Sequence, residues 1–268
     1  MLTYRQLLRG LQELGLTTQS SIIAHIAFDE QIAGGAETVI GALLACCERV
    51  MMPSFTPQTR VVPPFGPDNN AMDYAVDGQS PDLVRFDPDL PADPSLGIVA
   101  ETLRMHPQAK RSDHPLLSFS GVNVQEGLAL QSPQDPWAPI RWMAEKDADI
   151  LLMGVDHRRN ISLHYALQNG GRKQFTRWAA QGPKIVACPG WPGCSQGFSS
   201  IAPHLEGVVR NGAVGSISMQ MIPLRDLIHI AVGWVREDPQ AMLCDRADCV
   251  YCQAVRLELG GSGSAQEG

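Results

Sequence analysis

From Leu7 to Leu14 the apolar positions recur at helical spacing, with Leu7, Leu8, Leu11 and Leu14 on one face and Thr3 placed to cap the first turn. The pattern then changes to a continuous apolar run over 21–27, which reads as a buried strand. Helical spacing returns over 36–48, and a second apolar run follows at 49–55. Strand, loop, helix and strand in that order predict a parallel pair in an α/β sheet. Further along, the pattern predicts a helix after Ser95 that stops at Pro107, a strand at 116–122, a helix over 137–146 and a strongly apolar strand over 148–155. Asn160 is placed to cap a helix containing His164. A Gly/Pro-rich loop at 188–198, a helix near 199–210, a strand over 215–223 and a helix near 223–236 complete the series. No internal repeat is present. The expected fold is a single large α/β domain over residues 1–259, built on a mostly parallel mixed sheet with helices on both faces and long inserted loops. Residues 260–268 read as a mobile, linker-like tail.

One segment breaks the pattern. Residues 57–95 hold eight prolines and little periodicity, and the stretch is far longer than the common loop of about 4–6 residues. Its second half carries six aspartates against one arginine. It reads either as an acidic wall for a cationic ligand, with Asp73, Asp82 and Asp87 as contacts, or as a solvated acidic stretch.

Composition narrows the class. The chain has 268 residues, is 44% hydrophobic and carries 28 Asp+Glu against 21 Lys+Arg. It can build a core, and its acidic balance argues against nucleic acid and favours a cationic or neutral ligand. No apolar run reaches the roughly 18 residues of a membrane span, and the charged amphipathic N-terminus lacks the apolar centre of a signal peptide. A cytoplasmic protein, monomer or homodimer, follows as the expectation. Seven cysteines then suggest reduced thiols or a metal. Cys249 and Cys252 in C-x2-C spacing, with Cys188 and Cys194 from the glycine loop, are candidate ligands of a structural zinc. The alternative is a set of ordinary buried thiols.

Other candidate chemistry is local. Gly34, Gly35 and Ala36 precede a helix whose free N–H groups suit a phosphate, unless they form a plain turn. His164 lies early in a helix that follows a buried strand, at the sheet edge where ligands of α/β folds bind. Either it is a general base, with Glu101 as a partner for its second nitrogen, or it is a histidine at the core edge. Residues 110–115 mix Arg111, Ser112 and His114 in what reads best as a turn. Gly193-Cys194-Ser195-Gln196-Gly197 matches G-x-S-x-G literally, but Pro189, Gly190, Trp191 and Pro192 stand where a nucleophile elbow needs its strand.

Together these segments resemble the aminoglycoside 3-N-acetyltransferase, or antibiotic N-acetyltransferase, family. The match runs from about residue 3 to 256. It rests on the joint order of the strand ending in His25, Gly34-Gly35-Ala36-Glu37-Thr38-Val39, Met52-Pro53-Ser54-Phe55-Thr56, Phe86-Asp87-Pro88, Leu96-Gly97 with Glu101, Arg111-Ser112 with His114-Pro115 and Ser118-Phe119, and Leu163-His164-Tyr165-Ala166. The resemblance implies acetyl-CoA as donor, the 3-amino group of a 2-deoxystreptamine aminoglycoside as acceptor, and antibiotic resistance as the outcome. It implies His164 as the catalytic base with Glu101 nearby. It implies a cofactor wall of His25, Ile26, Ala27, Phe28, Gly34, Gly35, Ala36, Ser54, Thr56, Arg111 and Ser112. The chain departs from the family pattern in two places. Ile26-Ala27-Phe28 stand where the family has hydroxyls, and the catalytic helix has Ile161 and Leu167 in place of a threonine and a glutamate. These losses leave room for a divergent member that acetylates another amine, or one that binds CoA with little catalysis.

Overall fold

The computed structural model describes residues 1–27, 31–75 and 83–262. In chain order its strands are β1 (Ser21–Ile26), β2 (Arg49–Pro53), β3 (Arg60–Val61), β4 (Lys110–Arg111), β5 (Phe119–Val122), β6 (Asp149–Met153), β7 (Phe175–Gln181), β8 (Lys184–Trp191), β9 (Arg210–Val214) and β10 (Ile217–Pro223). The helices are α1 (Tyr4–Leu14), α2 (Gly35–Cys46), α3 (Ile98–Met105), α4 (Gln125–Ala129), α5 (Ala138–Glu145), α6 (Ser162–Asn169), α7 (Leu224–Glu237) and α8 (Val250–Ser262).

Seven strands form one sheet in the order β4-β5-β2-β1-β6-β10-β9. Only its centre is parallel: β1 pairs in parallel with β2 and β6, and all the flanking pairs are antiparallel. The expectation of a mostly parallel sheet therefore holds for three strands and fails at both edges. The reason is topological. A crossover through α2 returns the chain to the start of β2 and preserves direction, whereas β9 and β10 are joined by a tight turn, which reverses it.

Alternation along the three central strands divides the core. Ile22, Ala24, Ile26, Val50, Met52, Leu151 and Met153 face the layer of α1, α2 and α3. Ile23, Met51, Ile150 and Leu152 face the layer of α5, α6 and α7. Strands buried on both faces read as continuous apolar runs, which is why these were legible. Thr3 caps α1 in a reciprocal pair with Gln6. Ser95 does not cap α3; Gly97, at φ 90°, occupies that position, and the Asp93 side chain accepts from Ser95 N one turn earlier.

A second, three-stranded sheet, β3-β7-β8, was not expected. It turns part of the supposed 188–198 loop into strand and takes up the start of the 57–95 segment through β3. Two arginines fix that segment further. Arg177, fully buried in β7, donates to the carbonyls of Asn70 and Ala71 and lies among the rings of Phe175, Trp191 and Tyr251 at 5.5–5.9 Å. Arg111 donates to the carbonyls of Pro88 and Leu90. The long segment is thus held at two separate points. Helix α8 runs through Ser262, past the expected start of the tail, and residues 263–268 lie outside the described part. Among the described residues no helix is long and apolar enough to cross a membrane.

Candidate active site

The carboxyl ends of the parallel strands open onto a cleft of about 550 Å³, lined by Ala27, Gly154, Val155, Asp156, Arg158, Arg159, Ser195 and Gln196. A smaller recess runs inward from it past His25, Ile26, Pro53 and Ser95, and shares Ala27, Val155 and Arg159 with the cleft. This is the edge at which α/β sheets bind ligands. Arg158 is paired with Asp156 at 2.7 Å. Arg159 donates only to the Ser95 carbonyl, and no carboxylate neutralises it among the described residues. A guanidinium on the lining of a cleft suits an anionic ligand. The turn Asp156-His157-Arg158-Arg159 directly after β6 was the available signal for this site, and the sequence reading passed over it.

His164 sits in the first turn of α6, where Asn160 Oδ1 accepts from Ser162 N. Its ring is stacked on Trp137 (centroids 6.2 Å apart, planes 18° apart) and tilted against Phe198 at 4.7 Å. Burial, with a contribution from Arg172, pushes its pKa down to about 3, so the imidazole is neutral at physiological pH. It borders a cavity of only about 20 Å³, shared with Leu167, Arg172, Gly193, Cys194, Tyr251 and Cys252, about the size of one water. Segment 193–197 is therefore a partition. Cys194 faces the His164 cavity, and Ser195 and Gln196 face the cleft. Gly197 is fixed by close approach, since a Cβ there would lie 2.4 Å from the Met242 carbonyl oxygen.

Glu101 does not orient His164. Its carboxylate accepts from Arg104 at 2.7 and 2.8 Å and from Ala92 N at 3.0 Å, and the Arg104 bonds hold it below its ordinary pKa. The i,i+3 pair with Arg104 is the more local solution to its partial burial. Among the described residues no carboxylate bonds either nitrogen of His164; aromatic packing fixes the ring instead.

Several expected cofactor contacts have their polar groups engaged within the protein. The Ser54 hydroxyl accepts from Ser120, Thr56 donates to the Pro115 carbonyl, and Ser112 bridges the backbone of Phe119. Arg111 uses all three guanidinium nitrogens on Ser118, Ser54, Pro88 and Leu90 oxygens. His25, Ile26 and Ala27 do line the cleft or its recess, whereas Phe28 lies outside the described residues. His25 Nε2 has no partner among the described residues, and burial beside Arg159 pushes its pKa down to about 3. Gly34 takes φ 81°, and a Cβ there would meet Thr38 Oγ1 at 2.3 Å, so the turn before α2 needs glycine. Gly34, Gly35 and Ala36 do not border the cleft. The 110–115 segment is only in part the expected turn: Lys110 and Arg111 form β4, and the turn itself follows at 115–117, where His114 Nδ1 accepts from the backbone of Leu116 and Leu117.

Of the acidic residues, Asp73 lines a hollow of about 400 Å³ with Asp68, Asn70 and Val250. Asp87 is exposed and accepts from Asp89 N, and Asp82 lies outside the described residues. Val250 on this hollow adjoins Tyr251 on the His164 cavity, so the first turn of α8 separates the two. Ser195 is not at a nucleophile elbow, because β8 ends at Trp191 and the next helical turn starts only at Phe198. The metal candidates also change. Cys188 points from β8 into the core, whereas Cys194, Cys244, Cys249 and Cys252 converge with all four sulfurs within 4.8 Å of one another.

Comparison with known proteins identifies the family and its fold. The model of the aminoglycoside 3-N-acetyltransferase family matches residues 26–236. Aminoglycoside N(3)-acetyltransferase IV from Salmonella sp is 26% identical over 257 residues, covering 89% of both chains. The crystal structure of aminoglycoside acetyltransferase AAC(3)-IVa superposes with a TM-score of 0.77 at 26% identity, over 96% of this chain and 97% of that one. The AAC-IIIb structure binary with CoASH shares the fold at 18% identity, with a TM-score of 0.74 over 88% and 96% of the two chains. The chain belongs to the aminoglycoside 3-N-acetyltransferase family and is an acetyltransferase.

Proposed function

We propose that this chain acetylates the 3-amino group of a 2-deoxystreptamine aminoglycoside, with the acetyl donor in the cleft, the acceptor on the side of the Asp68–Asp73 hollow, and His164 as the base between them. One observation carries the assignment of the base. His164 is the neutral imidazole in the narrow space between an arginine-bearing cleft and an acidic hollow. Acetyl-CoA supplies a thioester, from which acyl transfer forms an amide C–N bond and releases the thiol. The anionic donor fits the cleft chemically, since Arg159 has no carboxylate partner among the described residues and stands on its lining with Ala27 and Gly154. Gly34, Gly35 and Ala36 would take a donor phosphate at the amino end of α2, an assignment supported by the family resemblance alone.

The acceptor amine is cationic until it loses a proton, and aspartates 68 and 73 attract it in that form. A neutral imidazole can take the proton as the amine attacks, and the Trp137 and Phe198 rings hold it in place. Access to His164 requires the Ser195–Gln196 tip of the partition to yield. The free thiols and the dependence on acetyl-CoA support a cytoplasmic location.

The test is an acetylation panel of aminoglycosides and simple amines with acetyl-CoA, read by thiol release and product mass. One acetyl group on the 3-amino position is expected. Acetylation of simple amines alone would overturn the acceptor assignment, and Ile26, Ala27 and Leu167 make that the competing outcome. In the same assay Arg159→Ala should raise the KM for acetyl-CoA by about 10- to 100-fold, as expected for loss of one charge-assisted contact, with kcat little changed. An unaltered KM would place the donor elsewhere.

A further inference from the structure

We propose that Cys194, Cys244, Cys249 and Cys252 form a tetrathiolate site for one zinc ion, which ties segment 193–197 to the first turn of α8. The sulfurs come from two parts of the chain about fifty residues apart, yet all lie within 4.8 Å of one another. A tetrahedral zinc with Zn–S bonds of about 2.3 Å places its sulfurs roughly 3.8 Å apart, so a small contraction seats the ion. The arrangement does not require disulfides, and all seven cysteines are free thiols.

Three features beyond proximity favour a metal. First, backbone N–H groups already point at two of the sulfurs. Cys244 N donates to Cys252 Sγ at 3.4 Å, and Gln196 N donates to Cys194 Sγ at 3.3 Å. Such bonds stabilise thiolates and orient ligands around metal centres. Second, two cations balance the charge. Zinc displaces four thiol protons and leaves the centre at a net charge of −2; Arg256 donates to the Cys244 carbonyl at 2.8 Å, and Arg172 donates to the Ala241 carbonyl at 2.7 Å and lines the same cavity as Cys194 and Cys252. Third, the surroundings offer no other reason for the cluster. Residues 238–249 contain no helix or strand, so Ala241, Met242 and Cys244 are buried there without a helix or a strand ladder to hold them. Four mutually adjacent thiols without a metal would add little to its stability.

The site borders both halves of the active region. Cys194 and Cys252 line the His164 cavity, Cys194 is followed directly by the two cleft residues Ser195 and Gln196, and Val250 lines the acidic hollow. Zinc at this position would fix the far wall of the His164 cavity without touching a substrate.

The experiment is metal analysis of the full-length protein purified without chelator, followed by exchange with cobalt(II). One zinc per chain is expected, and the cobalt form should show the intense sulfur-to-metal absorption and tetrahedral d–d bands of a four-sulfur site. Cys244→Ser should lose most of the bound metal and lower the melting temperature, whereas Cys188→Ala should keep full stoichiometry. Each variant is checked for fold by circular dichroism. If Cys244→Ser fails to fold, cobalt spectra of Cys194→Ser and Cys249→Ser decide, because loss of one sulfur ligand alters the charge-transfer intensity. A metal-free, folded protein that takes up no cobalt would overturn the proposal. So would an iron ion in place of zinc, or full stoichiometry retained in Cys244→Ser.

Discussion

Replacing His164 by alanine is expected to lower kcat for acetyl transfer by about 100- to 10,000-fold, the range of general-base catalysis, while leaving acetyl-CoA affinity within a few-fold of the parent. The separation follows from the layout. The cleft residues Ala27, Arg158 and Arg159 do not border the His164 cavity, so under the proposed assignment donor binding and proton acceptance would use different side chains. Alanine also removes a ring packed between Trp137 and Phe198, and the void will cost some stability. His164→Phe is therefore the companion variant. It keeps an aromatic in the cradle and removes only the basic nitrogens, so it should be as inactive as the alanine variant and more stable. Near-parental kcat in His164→Phe would end the assignment of the base.

The pH profile should carry the same signature. His164 is held near 3 by burial, so it stays neutral through the range in which an ordinary histidine titrates. The acid limb of kcat/KM should then follow the pKa of the acceptor amine, and move with it from one substrate to the next. A limb fixed near 6.5 for every acceptor would show that the imbedded imidazole regains water before the reaction.

The second large effect is acid instability. Burial holds His25 and His164 near 3 and His114 near 4, and also lowers His157. Each is neutral in the fold and takes a proton near 6.5 once the chain unfolds. The unfolded state therefore binds more protons below pH 6.5. The stability from these groups is complete above that pH and is lost as pH falls toward the folded values. The limiting slope is about 1.4 kcal/mol per pH unit for each histidine. Three such groups would remove roughly 6 kcal/mol by pH 5, against a total of about 5–15 kcal/mol for a typical domain. Calorimetry should show a melting temperature lower by about 10–20 °C at pH 5 than at pH 7. A melting temperature that does not change between those values would show that these rings are solvated.

The central architecture was legible because its signals are local. β1, β2 and β6 are buried on both faces and appear as unbroken apolar runs, and α1, α2, α5 and α7 keep a helical period over two or more turns. The β7–β8 hairpin was not legible: β8 alternates irregularly, contains Pro189, and is largely exposed at its start. β9, with the sequence Arg-Asn-Gly-Ala-Val, looks like a turn and becomes a strand only by pairing with β10. At the site, the spacing of Cys244, Cys249 and Cys252 contained three of the four clustered sulfurs. The fourth depends on β8, which carries Cys188 into the core before the chain turns out at Cys194. Glu101 shows the opposite case. Its true partner, Arg104, stands three residues away, and the distant histidine was the less economical choice.

Arg177 and Arg111 hold the long acidic segment by its backbone. They grip the carbonyls of Asn70, Ala71, Pro88 and Leu90 rather than side chains, and only at Asn70 does the side chain add bonds of its own, to Thr176 and Tyr74. A hold on backbone oxygens leaves the side chains of Ala71, Pro88 and Leu90 out of the attachment, so substitution there need not release the segment from the core.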